Sequence, residues 1–260
     1  MKPRSREEGA SMPVSAEGSA LRALRVLEAV GAPGGPHKLG RIAREAGVTK
    51  PSTHRILQGL VEAGYVLSGG DGTYGLGPRA FALSALFTSG QHDEPVLRRL
   101  REQTGQTVHV ALRSGSQAIY VQKLDSDRPY RMASRVGGRI PLHCTAIGKA
   151  ILAHLDPPGR QAVLAETGLP ARTARTRTDP DSLEAELAQV RARGYALDDE
   201  ENEETVRCVA APLLDGAGGP VGGVSVSSLT FQTSAGELLT CVPHLLEAAR
   251  LLAPAYAQPG

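Results

Sequence analysis

Between Thr49 and Glu62 the chain sets Lys50, Ser52, Thr53, Arg55 and Gln58 against Ile56, Leu57, Leu60 and Val61, a polar and an apolar side of one helix. A guanidinium has the planar fork that matches the O6 and N7 edge of guanine, an ammonium pairs with phosphate, and short hydroxyls reach either. Such a row suits a helix lying along nucleic acid. A second set lies far downstream. Leu142-His143-Cys144-Thr145-Ala146 leads into a helical stretch, whose first amides and positive dipole end make a seat for a carboxylate. Ser225 and Ser227, two apart in a strand, turn both hydroxyls to one face while Val224 and Val226 turn to the other.

Patterns of other chemistries fail in their context. Gly216-Ala217-Gly218-Gly219 joins two strands, where a dinucleotide fingerprint needs a strand followed by a helix. Gly223-Val224-Ser225-Val226-Ser227 lacks the second glycine of a nucleophile elbow. His109 and His143 have no paired metal spacing and read as hydrogen-bonded histidines; Cys144, Cys208 and Cys241 form neither a CxxC pair nor a disulfide framework. The reading is therefore no enzyme, no metal site and no cofactor, with a small-molecule sensory module acting through protein partners, or an enzyme of unrecognised class, as the alternative.

The elements that must carry the first set follow from periodicity and punctuation. A first helix starts at Ser19 as cap, turns Leu21, Leu24, Val26, Leu27 and Val30 inward, and stops at Gly31 and Pro33-Gly34. A second runs from about Lys38 to Ala46 and ends at Gly47. Thr49 caps the third, with Pro51 in its first turn where the missing N–H is harmless. Tyr65-Val66-Leu67 and Thr73-Tyr74-Gly75-Leu76 flank a glycine-rich tip and form a hairpin. Helix, helix, turn, helix, hairpin is the order of a winged helix-turn-helix. Its partner is a double-stranded DNA operator, with Lys38, Thr49, Thr73 and Arg79 joining the third helix as contacts. One module covers little area, so at least two heads are expected on an operator.

The second set sits in a different kind of domain. A helix from Pro78 carrying Phe81, Leu83, Leu86 and Phe87 leads to a break at Ser89-Gly90. Beyond it come a helix from Pro95 to Thr104, a hairpin of Thr107–Arg113 and Ala118–Leu124, an extended Ile140-Pro141-Leu142, and a helix from Thr145 to Leu155. A helix from Pro180 to Arg193 capped by Asp179, strands Cys208–Leu214 and Val221–Leu229, and a last helix from Gly236 to Leu252 complete an α+β domain with an antiparallel sheet. Asp198 to Glu204, six acids in seven residues, reads as a solvated loop. The expected boundaries are a disordered leader at 1–17, the winged domain at 18–78, a linker helix at 79–92 and the α+β domain at 93–256.

Bulk composition agrees. The 260 residues, 41% of them hydrophobic, suffice for two ordinary cores. Residues 1–80 hold 11 Lys and Arg against 7 Asp and Glu, while the remainder holds 18 against 20. A basic head on a slightly acidic body suits a polyanion-binding module joined to something else. No stretch approaches 18 consecutive apolar residues, so a cytoplasmic protein without membrane partners is expected.

Long motifs in a fixed order then add a resemblance to the IclR-type transcriptional regulators. It rests on Ile42-Ala43-Arg44-Glu45-Ala46-Gly47-Val48, Lys50-Pro51-Ser52-Thr53-His54-Arg55-Ile56-Leu57, Gly64-Tyr65-Val66 and Tyr74-Gly75-Leu76-Gly77 in the head. In the body it rests on Pro141 through Ala150, Gly194 through Glu201, Arg207 through Pro212, and Ser225-Val226-Ser227. Pro51 departs from the pattern, where similar proteins carry Ser or another residue. The resemblance implies a GAF-like effector domain, homodimers that pair into homotetramers, and small organic acids or aromatic compounds as effectors. It also implies that Asp198 and Cys208 join Leu142, Cys144, Thr145, Ala146, Ser225 and Ser227 around that effector.

Overall fold

The computed structural model describes residues 18–88 and 93–256. The leader expected at 1–17 and the break expected at Ser89-Gly90 lie outside the described residues. The chain forms two units divided in sequence between Gly90 and Gln91, and each is described by itself.

The first unit contains α1 (Ser19–Val30), β1 (His37–Lys38), α2 (Leu39–Ala46), α3 (Lys50–Glu62), β2 (Val66–Ser68), β3 (Thr73–Leu76) and α4 (Pro78–Thr88). β3 lies between β1 and β2, antiparallel to both. This is the winged helix-turn-helix that the order of elements implies. Val26, Val30, Ile42, Ala46, Leu57 and Val66 form its core. Gly47 makes the tight turn possible. At φ 66° it stands in the left-handed region, its N–H donating to Arg44 O and that of Val48 to Ala43 O.

Four local expectations need correction. Lys38 pairs with Thr73 in β1 and so precedes α2 rather than opening it. Gly18, not Ser19, holds the cap position of α1, without a side-chain bond. Leu21 and Leu24 are 49% and 56% exposed, because the core reaches only the C-terminal half of α1. Thr49 occupies the cap position of α3, yet its hydroxyl donates to Ser52 Oγ (3.1 Å) instead of accepting from the backbone. Pro51 leaves the first turn regular, with Thr53 N bonded to Thr49 O at 2.8 Å.

The second unit runs α5 (Asp93–Thr104), β4 (Thr107–Ser114), β5 (Gln117–Leu124), β6 (Arg139–Pro141), α6 (Ala146–His154), α7 (Pro157–Thr167), α8 (Pro180–Arg193), β7 (Ala196–Asp199), β8 (Val206–Leu214), β9 (Pro220–Leu229), α9 (Ala235–Leu239) and α10 (Val242–Tyr256). The six strands form one antiparallel sheet in the order β6-β5-β4-β9-β8-β7. Ile147, Ile151, Leu183 and Leu187 bring α6 and α8 onto one face. Leu97, Leu100, Leu245 and Leu252 bring α5 and α10 onto the other, against Val110, Val209, Val224 and Val226. Two helical layers around one sheet give the α+β class that the sequence implies.

Sequence reasoning passed over α7 and β7. The signal for α7 was present, since Asp156 accepts from Gly159 N and Pro157 follows it directly. The last helix is broken at Thr240-Cys241 into α9 and α10. The span Ala235–Tyr256 is long and apolar enough by composition to cross a membrane, but Leu238, Leu245 and Leu252 on it are buried in the core.

α6 is the most enclosed element, with every residue from Ala146 to Ala153 buried. Thr145 caps it by accepting from Gly148 N (3.0 Å) and donating to Pro141 O (2.7 Å). A Cβ at Gly148 would lie 2.4 Å from Leu142 Cα and 2.5 Å from Leu142 O. The helix start is thus pressed onto the backbone of residues 141–142. Gly148→Ala is expected to destabilise the protein by about 1–3 kcal/mol, whereas Gly216→Ala, facing open space, should stay within about 0.5 kcal/mol. Urea unfolding compares the two, and equal midpoints would refute the close-approach argument.

Candidate functional site

On α3, Lys50, Pro51, His54, Arg55, Gln58, Gly59 and Glu62 are exposed, at the spacing of one helical face. Ser52 is half-buried. Thr53 is not on this face: it has no exposed surface, and its hydroxyl donates to Thr49 O (3.0 Å) and Val48 O (3.4 Å). One further step of the helix turns it inward, where it holds the helix start. His54 was missed, although its i,i+4 relation to Gln58 marks it. Lys38 is exposed on β1. Thr73 hydroxyl donates to Asp71 Oδ1 (2.6 Å) and shapes the hairpin tip. Arg79 lies over the Tyr65 ring, 5.2 Å from its centroid, and donates to Ala63 O at 3.3 Å. Part of its fork is therefore occupied by the protein itself.

In the second unit the sheet and α6 enclose a cavity of about 40 Å³. Thr145, Ala146 and Ile147 reach it from the start of α6, Asp198 from β7, Cys208 from β8, and Ser225 and Ser227 from β9. Leu142 and Cys144 do not line it. Leu142 packs in the core and the Cys144 thiol meets Asn202 Oδ1 at 3.8 Å, because the capped turn points both behind the helix start. Thr145 occupies the Gly148 amide, while those of Ala146 and Ile147 have no intrahelical acceptor.

Nine lining residues came from outside the expected set, among them His109 and Tyr120. His109 on β4 stands in register with Ser225, and Tyr120 on β5 lies beside it with ring centroids 4.8 Å apart. Nε2 of His109 meets Ser134 Oγ at 2.8 Å and Nδ1 meets Ser227 Oγ at 3.4 Å. Burial, with Lys123 adding to it, pushes its pKa down to about 3, so the ring is neutral near pH 7. A histidine between inward Val108 and Val110 was the available signal. His143 bonds Pro170 O at 3.0 Å. Among the described residues no group of three or more His, Cys, Asp or Glu is placed to hold a metal.

The acidic run is not the solvated loop expected of it. Asp198 is 3% exposed and its Oδ1 accepts from Glu201 N (2.8 Å) and Asn202 N (3.4 Å). Glu201 is 5% exposed and accepts from the ammonium of Lys149, a residue of α6 with no exposed surface. A buried counter-charge draws the loop inward, and neither Lys149 nor its role was anticipated. Burial raises the Asp198 pKa to about 7 against the opposing pull of the two amides and Lys149. Burial likewise pushes the Cys208 thiol up, so it stays protonated.

Comparison with known proteins adds relationship to this geometry. The family model described as the IclR helix-turn-helix domain matches residues 19–68, and that of the bacterial transcriptional regulator IclR C-terminal matches residues 90–253. The chain is 36% identical over 236 residues to the HTH-type transcriptional regulator BhcR of Paracoccus denitrificans, covering 89% of this chain and 84% of that one. It superposes on an IclR transcriptional regulator from Alicyclobacillus acidocaldarius with a TM-score of 0.81 at 25% identity, over 92% of this chain and 98% of that chain. The inducer-binding domain of Acinetobacter PobR, solved as a double mutant in complex with 3-hydroxybenzoic acid, matches with a TM-score of 0.56 at 27% identity. That match covers 62% of this chain and 94% of the domain.

A carboxyl whose folded pKa is raised contributes stability below its unfolded value that is lost as pH rises through the folded one. For Asp198 the window runs from 3.8 to about 7. Asp198→Asn should therefore gain stability relative to the native chain across that window, by on the order of a few kcal/mol, and keep a constant advantage above it. Urea melts at about pH 5 and about pH 8 measure this, and a pH-independent difference would count against it.

Proposed function

The chain belongs to the IclR family of transcriptional regulators, and from that premise we propose how its two units divide the work. It is a DNA-binding regulator with a small-molecule effector domain. The functional boundaries are residues 18–78 for the winged head, 79–92 for the linker and 93–256 for the effector domain. Lys50, Ser52, His54, Arg55 and Gln58 face the major groove, with Arg55 reading base edges and Lys50 neutralising phosphate. Lys38, Thr49, Thr73 and the free part of Arg79 flank them. Thr53 supports the helix start rather than touching DNA.

The effector is a small organic acid or aromatic compound seated between the α6 start and β9. One observation carries this reading: Thr145, Ala146 and Ile147 at the start of α6 line a single cavity together with Asp198, Cys208, Ser225 and Ser227. The 3-hydroxybenzoic acid held by the PobR domain is consistent with a ligand of this kind. Leu142 and Cys144 support the seat from behind.

Catalysis in that cavity is disfavoured. A histidine with pKa about 3 is a feeble base for Ser227, and the Cys208 thiol is far from its nucleophilic form. The working unit is a cytoplasmic homodimer, paired further into a tetramer on DNA. Leu21 and Leu24 on α1 and Phe81 and Leu83 on α4 are exposed and supply apolar surface for a second head.

Operator fragments selected from random duplex DNA provide the test for the head. Arg55→Ala is expected to weaken binding by about 1–3 kcal/mol and relax specificity, while Lys50→Ala should lower the salt slope by roughly one. Anisotropy titrations showing unchanged affinity and slope in both variants would remove α3 from the interface. For the body, Ser227→Ala should abolish the thermal shift produced by whichever small acid stabilises the native chain, leaving DNA affinity without that acid near normal. A full shift in that variant would move the effector elsewhere.

A further inference from the structure

The effector cavity has acids in its wall, Asp198 and Glu203, and neither lysine nor arginine. The groups around Asp198 offer no free cation either. Lys149, on α6, is committed to Glu201, the acid of the following loop. Cys208 on β8 and Tyr120 on β5 are held in their protonated forms by burial, the Cys144 thiol before α6 is pushed up to about 12, and His109 on β4 is neutral. A carboxylate arriving at the α6 start thus meets another carboxyl group with no lysine or arginine in the cavity wall between them. Two carboxylates in one enclosed site do not both stay ionised; they share a proton.

The geometry of Asp198 suits it to supply that proton. Its Oδ1 is taken by the amides of Glu201 and Asn202, which leaves Oδ2 for the cavity. We propose that Asp198 enters the effector complex as the carboxylic acid, with its Oδ2 hydroxyl donating to the effector's carboxylate. The cavity then takes monocarboxylic acids together with one proton drawn from solvent, and turns dicarboxylates away because a second carboxylate finds no partner in the wall. This rests on the reading of the cavity as the effector seat. Burial already holds the Asp198 pKa at about 7, so the protonated form is accessible near neutrality.

Matched pairs of probes test the idea by calorimetry on the full chain: propionate against malonate, and 3-hydroxybenzoate against isophthalate. At least one monocarboxylate is expected to bind, with affinity falling about tenfold per pH unit above about pH 7 and its dicarboxylate counterpart much weaker. Heats in phosphate and Tris buffers should differ by the ionisation heat of one proton taken up per ligand. Asp198→Asn, which keeps an acceptor for the two loop amides, should lose the pH slope. Binding of a monocarboxylate with no slope from about pH 6 to about pH 9 and no proton uptake overturns the proposal, as does a dicarboxylate bound equally well. Silence from both monocarboxylates at every pH sinks the effector reading of the cavity itself, and this inference with it.

Discussion

A lysine with no exposed surface is the constraint around which the effector unit is arranged. Lys149 sits on α6 among alanines and isoleucines, and among the described residues its ammonium is paired with Glu201. A buried ion left unpaired costs several kcal/mol, so the loop after β7 cannot leave α6 without exposing that penalty. Glu201 in turn donates its amide to Asp198 and accepts the Thr176 hydroxyl at its carbonyl (2.6 Å). One ion pair therefore ties α6, β7 and the segment before α8 at a single point. Gly148, adjacent to Lys149, is the steric half of the same arrangement, because only a missing Cβ lets the helix start reach residues 141–142.

This arrangement also sets the polarity of the cavity. With Lys149 spent on Glu201, the attraction for an anion comes from the first amides of α6 and from neutral hydroxyls rather than from a formal charge. Asp198 lies among these groups because its own loop amides bind one oxygen. The neutral His109 between Ser134 and Ser227 extends the same logic: burial has removed charge from the wall and left hydrogen-bonding capacity. On the proposed reading, recognition is then by shape and protonation, with little long-range pull.

Much of the layout was legible because local chemistry and tertiary placement agree. Gly47 announces its own left-handed turn, and the Val–Ser alternation of β9 reports a strand with one side in the α10 core and the other toward α6. The failures occur where a residue's neighbours are distant in sequence. Thr53 is polar in a polar run, yet its hydroxyl is satisfied by the preceding turn. The acids after Asp198 look solvated until Lys149, some fifty positions earlier, is brought beside Glu201. Leu142 and Cys144 belong to the right motif, but the cap made by Thr145 aims them away from the cavity, which no spacing rule conveys. Leu21 and Leu24 keep the period of an inward face on a helix whose core extends along only half its length.

The size of the cavity decides which parts must answer to a ligand. About 40 Å³ is room for roughly three waters, little for an acid of three or more carbons. α6 cannot yield, since Gly148 and Lys149 fix it to backbone and to a buried charge. The Asn202–Val206 wall is anchored through Glu201 and bounded by Glu200 (φ 60°) and Thr205 (φ 65°), both already in the sparsely populated left-handed region. Outside the sheet, the remaining wall is the irregular stretch holding Met132 and Ser134. Its tethers are the His109–Ser134 bond and the Lys123 ammonium, which donates to Met132 O (3.0 Å) and Ser134 O (2.8 Å). Both tethers spring from paired positions of β4 and β5, His109 opposite Lys123.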